Sequence, residues 1–326
     1  LLVSCCHALV HVYEHSFASV EQLVAAEFHV GMGVTGAIGS TLRLPFGLFA
    51  LAAGWFADRF GAKRLLLIYL VGCSGACLVA FLSINLAMLF LAMFLLGACA
   101  SIYHPAGVGL ISLHTIPDNR SMALGYHGIL GSIGIAGGPL LAAIALSAGM
   151  RWQTFFLLLS APGVLLAILL HLWLHHESKN LSLEAVAGTN ASVLVESDNS
   201  IHWPSFSLLL ILGTMAGFVY AAVMTFLPRY LDGADFRFLG LPPEGIRNYL
   251  TAGVMLLGIA GQYTAGRIGR AHLLEPLLAT AFFAAAPCVL WMGFAIGPAR
   301  LYAAAVFTPL FFMHQPLFNS LVAKYV

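Results

Sequence analysis

Charge is what this sequence has least of. Of its 326 residues only 8% are Asp, Glu, Lys or Arg, against about 25% in a soluble domain. A chain so poor in charge cannot solvate a globular surface, and its formal net charge of +1 gives no basic field to hold nucleic acid. There is no phosphate-cradling P-loop of the Gly-x-x-x-x-Gly-Lys-Ser/Thr kind, which argues against an ATP-driven pump. Cysteine is sparse too. Cys5, Cys6, Cys73, Cys77, Cys99 and Cys288 all fall in apolar segments, where they act as small buried residues and not as a disulfide framework. No Met and no basic leader precede the first apolar run, so that run reads as a spanning helix and the sequence as a fragment at both ends.

Apolar runs fill the rest. Hydrophobic residues make up 60% of the chain and the mean hydropathy is +0.93. Runs longer than the roughly 18 residues that cross a bilayer recur along almost its whole length. We expect spans at 3–25, 31–56, 63–83, 86–112, 121–147, 152–174, 205–230, 246–268, 273–296 and 300–324. The polar stretch from His175 to Trp203 cannot bury a core. It divides the chain into an N-terminal six-helix bundle (1–175), a cytoplasmic linker (176–204) and a four-helix C-terminal bundle (205–326). Arg59, Lys63, Arg64, Arg120, Lys179, Arg267, Arg270 and Lys324 mark one face as cytoplasmic by their excess of positive charge in short loops. Arg151, Arg229, Arg237, Arg247 and Arg300 lie opposite, offset by Asp232, Asp235 and Glu244.

The two parts echo each other. Ala57-Asp58-Arg59-Phe60-Gly61 before Leu65-Leu66 is answered by Ala265-Gly266-Arg267-Ile268-Gly269 before Leu273-Leu274, and Tyr103-His104-Pro105 by Met313-His314-Gln315-Pro316. Parallel repeats of this sort are a transporter trait, with the substrate site between the halves near the midplane. The repeat predicts two further spans after Val326 and twelve in all.

Between the second and third runs, Gly54-x-x-x-Asp58-Arg59-x-Gly61 is followed by Ala62, Lys63 and Arg64. It resembles the loop signature of the major facilitator superfamily, with Ala62 in place of the first basic residue. The fifth span carries Gly125, Gly134, Gly138 and Pro139 at antiporter spacing, with Ala142-Ala143 in place of the last glycines. Glycines one turn apart let a neighbouring helix approach closely, and a proline loosens the ladder there. The alternative is a packing seam without exchange chemistry. Within the superfamily the chain resembles the fosmidomycin-resistance-like branch of drug/proton antiporters through His7, Tyr103-His104-Pro105 and the Gly134–Ala143 segment. His11 stands where that branch has an acid. The resemblance implies an all-α membrane protein of two pseudo-symmetric bundles, with about ten of twelve helices present, working as a monomeric carrier in the bacterial inner membrane. Its partners would be a small-molecule substrate, protons and membrane lipid, without nucleic acid. It also implies a gating role for Asp58.

Ionisable groups inside a bilayer are expensive unless they line a wet cavity. His7, His11, Glu14 and His15 share one face of the first helix and are the candidates for proton coupling. The other reading is that they snorkel from a frayed end. His11-x-x-Glu14-His15 also spells an inverted zinc-peptidase motif, and His7, His11 and His15 could bind a transported transition metal. No resident metal or cofactor and no covalent catalysis are expected. Arg43 either holds an anionic substrate or pairs with Glu14 or Glu21. His104, His127 and His314 are candidates for the substrate cavity or for hydrogen-bonded packing, and Gln262 and Asn319 are weaker polar candidates. Gly31-x-Gly33-x-x-Gly36 opens a membrane helix with no preceding strand, which excludes dinucleotide binding. We therefore expect a secondary transporter that exports a small organic solute against protons. The alternatives are uptake of an organic anion or sugar, a membrane sensor and a metallopeptidase.

Overall fold

A computed structural model describes the backbone of residues 1–113, 117–184, 202–237 and 240–325, with their side chains except at 112–126, 174–184 and 323. Every regular element among the described residues is helical: α1 Leu2–Glu27, α2 Met32–Phe60, α3 Ala62–Phe81, α4 Leu86–Ala100, α5 Tyr103–Leu113, α6 Pro117–Ser147, α7 Trp152–Glu184, α8 Trp203–Asp232, α9 Pro243–Ile268, α10 Leu274–Phe294, α11 Ala299–Phe312 and α12 His314–Tyr325. Within bilayers a helix satisfies its own backbone polar groups, which is why the apolar runs take this form.

The ten expected spans are all present as helical runs, two of them broken. Residues 86–111 and 299–322 each pass as one apolar span although each holds two helices. The breaks, at Ser101-Ile102 and at Met313, sit just before Pro105 and Pro316. A proline has no N–H for the carbonyl four residues back and its ring crowds that carbonyl, so the ladder gives way there. Among the described residues eight spans are long and apolar enough to cross a membrane; α1 and α9, though 26 residues each, are not among them. Their polar side chains are turned toward neighbouring helices. His7, His11, Glu14, His15 and Glu21 of α1, and Arg247, Asn248 and Thr251 of α9, are all buried.

Glycine sets the closest helix contacts. A methyl group on Gly97 of α4 would fall 2.0 Å from the Leu42 carbonyl oxygen of α2, and one on Gly261 of α9 would fall 1.9 Å from the Pro309 carbonyl oxygen of α11. Corresponding helix pairs in the two parts of the chain thus touch backbone to backbone. One apolar core is built from residues 6–170, with Tyr13, Tyr69, Tyr103, Phe155 and Phe156 fully buried. Two further cores draw on residues 209–321, joined by Ile135 and Ala136 of α6. The six cysteines are free, four of them buried. Of the stretch 176–204 read as a linker, residues 185–201 lie outside the described residues.

The first helix of each part is covered differently. α1 lies against α6, α7 and α8, whereas α8 leaves Leu208, Ile211, Met215 and Phe218 exposed. Beyond the apolar spans, Lys324 donates to Glu275 at 2.6 Å, and that hydrogen bond raises the ammonium pKa above its ordinary value.

Candidate functional site at the first helix

α1 reaches both parts of the molecule because small residues let it in. On its α6 side, a Cβ on Gly134 would meet the Ala8 carbonyl oxygen at 2.1 Å, one on Gly131 the His7 ring at 2.3 Å and one on Gly138 the His15 Cβ at 3.0 Å. The glycine seam read from the sequence is therefore the α1–α6 contact. Gly131, one turn before Gly134 with respect to the His7 ring, belongs to it and was not singled out. Pro139 lies inside α6, and Gly125 falls outside the described side chains.

The polar face of α1 forms a hydrogen-bonded chain. His7 Nδ1 donates to the His127 carbonyl at 2.8 Å, and His7 Nε2 faces His11 Nε2 at 3.2 Å. His11 Nδ1 donates to Glu14 Oε2 at 2.8 Å. Arg43 of α2 then donates from Nη1 to Glu14 Oε1 at 2.9 Å and from Nε to Thr225 Oγ1 of α8 at 3.1 Å. Its guanidinium lies 5.6 Å from the centre of the Tyr220 ring, whose hydroxyl is 3.0 Å from His15 Nε2. Glu14 is thus a buried carboxylate held by Arg43 and His11, at the point where α1, α2 and α8 converge. Glu14, Phe17, Ala18, Gly39, Leu42, Arg43 and Thr225 line a narrow cleft there.

Several expectations change at this point. Of the two partners considered for Arg43, Glu14 is the one it takes. Glu21 instead accepts from Arg229 of α8, Nε to Oε2 at 2.8 Å and Nη2 to Oε1 at 2.9 Å, and from the Thr35 hydroxyl. The histidine group His7, His11 and His15 does not form. His15 lies against α6 at Gly138 and sends its ring to α8, while His104 of α5 joins His7 and His11, the ligand atoms of these three lying within 4.8 Å of one another. His127 stacks on His7 with ring centres 4.0 Å apart.

The other candidates lie elsewhere. His314 donates from Nδ1 to the Phe311 carbonyl at 2.5 Å and packs on Phe282 and Phe311, away from the α1 chain. Gln262 accepts from Ser132 of α6 at 2.5 Å and donates to Gln315 at 2.7 Å, so it bridges α6, α9 and α12. Asn319 is exposed. In the loop after α2, Gly61 takes φ +88°, a left-handed value that favours glycine, and its N–H bonds the Ala57 carbonyl at 2.9 Å. Asp58 and Arg64 are exposed, Arg59 lies 5.4 Å from the centre of the Trp55 ring and Lys63 5.1 Å from that of Trp173. Gly54 is not a close approach: a Cβ there would meet only Pro105, at 3.8 Å.

Sequence reasoning missed Thr225, Tyr220 and Arg229. Thr225 and Arg229 are four residues apart on α8 and share a face, the signal that could have found them. At the same end, Arg151 pairs with Glu27 at 3.4 Å and Arg247 with Asp232 at 3.6 Å. Asn248 of α9 donates to the Ser19 carbonyl of α1 at 2.8 Å.

Comparison with known proteins gives a consistent result. The puromycin resistance protein pur8 of Streptomyces alboniger is 36% identical over 127 residues, which are 39% of this chain and 25% of that protein. An uncharacterized MFS-type transporter, Rv1250, of Mycobacterium tuberculosis is 28% identical over 208 residues, 60% of this chain and 36% of its own. The chain therefore matches well under two thirds of either relative. Among solved structures, a bacterial homolog of the human lysosomal transporter Spinster, in an inward-facing and occupied conformation, superposes with a TM-score of 0.70 at 16% identity, covering 100% of this chain and 76% of that one. The family profile of the Major Facilitator Superfamily matches residues 3–326, so this integral, multi-pass membrane chain belongs to the major facilitator superfamily.

Proposed function

We propose that the chain acts as a secondary transporter that exports a small organic solute by alternating access, with inward proton flow as the driving force. The observation that carries this reading is the buried Glu14–Arg43 pair, tied through Thr225 to α8. It places a carboxylate and its counter-ion where helices from both parts of the chain meet, so a change in either group is felt across the joint. The name of the puromycin-resistance relative supports export of a drug-like solute. The fosmidomycin-resistance-like branch rests on the segments around His7, His104 and Gly134 alone.

In this scheme the first bundle, residues 1–175, rocks against the second, residues 205–326, in the inner membrane as a monomer. His7, His11, Glu14 and His15 exchange the proton. Arg43, His104, His127 and Gln262 border the path of the solute, and the loop from Gly54 to Arg64 stabilises one of the two states through Asp58. Fluorescent-dye efflux from proteoliposomes under an imposed pH gradient, with the gene product reconstituted in full, tests it. Solute-dependent proton release in the antiport direction is the expected result. Movement of solute and protons inward together would overturn the direction of transport, and solute flux unaffected by the gradient would overturn the coupling.

A further inference from the structure

The contact between His7 and His11 cannot be a hydrogen bond while both rings are neutral. The His127 carbonyl can only accept, so His7 Nδ1 carries the proton in their 2.8 Å contact. Glu14, ionised beside Arg43, likewise only accepts, so His11 Nδ1 carries the proton in its 2.8 Å contact. With both rings neutral, both Nε2 atoms present bare lone pairs, and these face each other at 3.2 Å. Two lone pairs at that distance repel unless a cation lies between them.

From this geometry we propose that His7, His11 and His104 form a binding site for a divalent transition-metal cation of the Zn2+ class. Two imidazole nitrogens on one tetrahedral zinc, each at about 2.0–2.1 Å, stand about 3.3 Å apart, close to the 3.2 Å found here. His104 supplies the third nitrogen, within 4.8 Å of the others, its ring set edge-on to that of His7 with centres 5.4 Å apart. The surrounding groups suit the task. Metal-binding histidines usually donate their second ring N–H to a carboxylate or a backbone carbonyl, which fixes the tautomer and raises ligand basicity; His11 donates to Glu14 and His7 to the His127 carbonyl. An all-imidazole donor set favours Zn2+, Co2+, Ni2+ or Cu2+ over Mg2+ or Ca2+, which prefer oxygen. Three histidines leave a fourth position open to water or to a solute donor atom.

The test is metal binding by the purified full chain in detergent, read as zinc content after dialysis and as the visible absorption of bound Co2+. One ion per chain is expected, with affinity falling at least tenfold in His7→Asn and His104→Asn but unchanged in His314→Asn, a half-buried histidine far from the cluster. Glu14→Gln should weaken binding about 10- to 100-fold, the usual cost of losing an outer partner. If the asparagine variants fail to fold, His11→Cys gives a direct reading: a sulfur-to-cobalt charge-transfer band is expected. Absence of that band in a folded protein, or a wild type that takes up no zinc, would overturn the site and leave a proton as the cation shared by the two nitrogens. Zinc retained by His104→Asn at wild-type affinity would equally overturn it. Binding is measured without a gradient or a solute, so its failure leaves the transport reading untouched; while the ion is bound, His7 and His11 have no free nitrogen for a proton, and proton exchange in the transport scheme then falls to Glu14 and His15.

Discussion

Glu14 shows how one side chain can be both costly and stable inside a membrane. Its two oxygens are taken up by Arg43 and His11, and removing one partner of a buried pair strands the other at about 3–5 kcal/mol. Glu14→Gln and Arg43→Gln should therefore each lower the unfolding temperature in detergent. The double variant, with no charge left uncompensated, should recover much of that loss while solute-driven proton movement stays abolished; a double variant no more stable than the singles would show the pair to be unimportant for folding. Asp58 makes the opposite case. It is exposed, so Asp58→Asn should leave the melting temperature within the scatter of surface substitutions, about 0.5 kcal/mol, and slow transport alone. Unchanged transport rates would remove it from the mechanism. The identity of the polar groups on α1 was legible because an ionisable residue in an apolar run stands out. Their partners were not: whether Arg43 meets Glu14 or Glu21, about two helical turns apart, is decided by how α2 crosses α1. Only the packed structure, with Thr35 and Arg229 occupying Glu21, fixes that.

Among the elements, α6 and α1 are joined by a close backbone approach. Gly134→Ala puts a methyl group 2.1 Å from the Ala8 carbonyl oxygen, so α6 must move away, at about 1–3 kcal/mol by the usual cost of overpacking. Gly128→Ala on the same helix meets nothing within 4 Å and should be neutral or stabilising, since alanine is the better helix former. Thermal unfolding of the two variants compares them directly, and equal melting temperatures would refute the seam. Most of the helices were read from the sequence to within a few residues, because runs of apolar residues and their charged ends are written locally; α7 is the exception, running to Glu184 through the start of the stretch read as a linker. The breaks before Pro105 and Pro316 were not foreseen, although both prolines were noted. A proline inside a membrane helix can kink it or interrupt it, and which occurs depends on neighbouring side chains that re-satisfy the freed carbonyls.

Taken as a whole, the molecule is held together at one end more than the other. Among the described residues, the ion pair joining the two parts of the chain is Glu21–Arg229, and it lies at the end opposite Asp58. Glu21 is 1% exposed, so Arg229→Ala leaves a carboxylate buried without its cation. The state closed at this end should lose several kcal/mol relative to one in which water reaches Glu21. Spin labels placed near Gly31 and Asp235 should report a longer mean distance in Arg229→Ala than in the parent; an unchanged distribution would show that this pair does not hold the end shut. The two-part organisation was visible in the sequence as a repeat, yet the repeat could not show that Arg229 crosses over to α1, since internal symmetry pairs equivalent helices without specifying their contacts. Such labelling is eased by the native thiols. Four of the six are enclosed by neighbouring helices, so only the half-buried Cys5 and Cys99 need replacing before a maleimide or nitroxide reagent at a loop cysteine gives a clean signal.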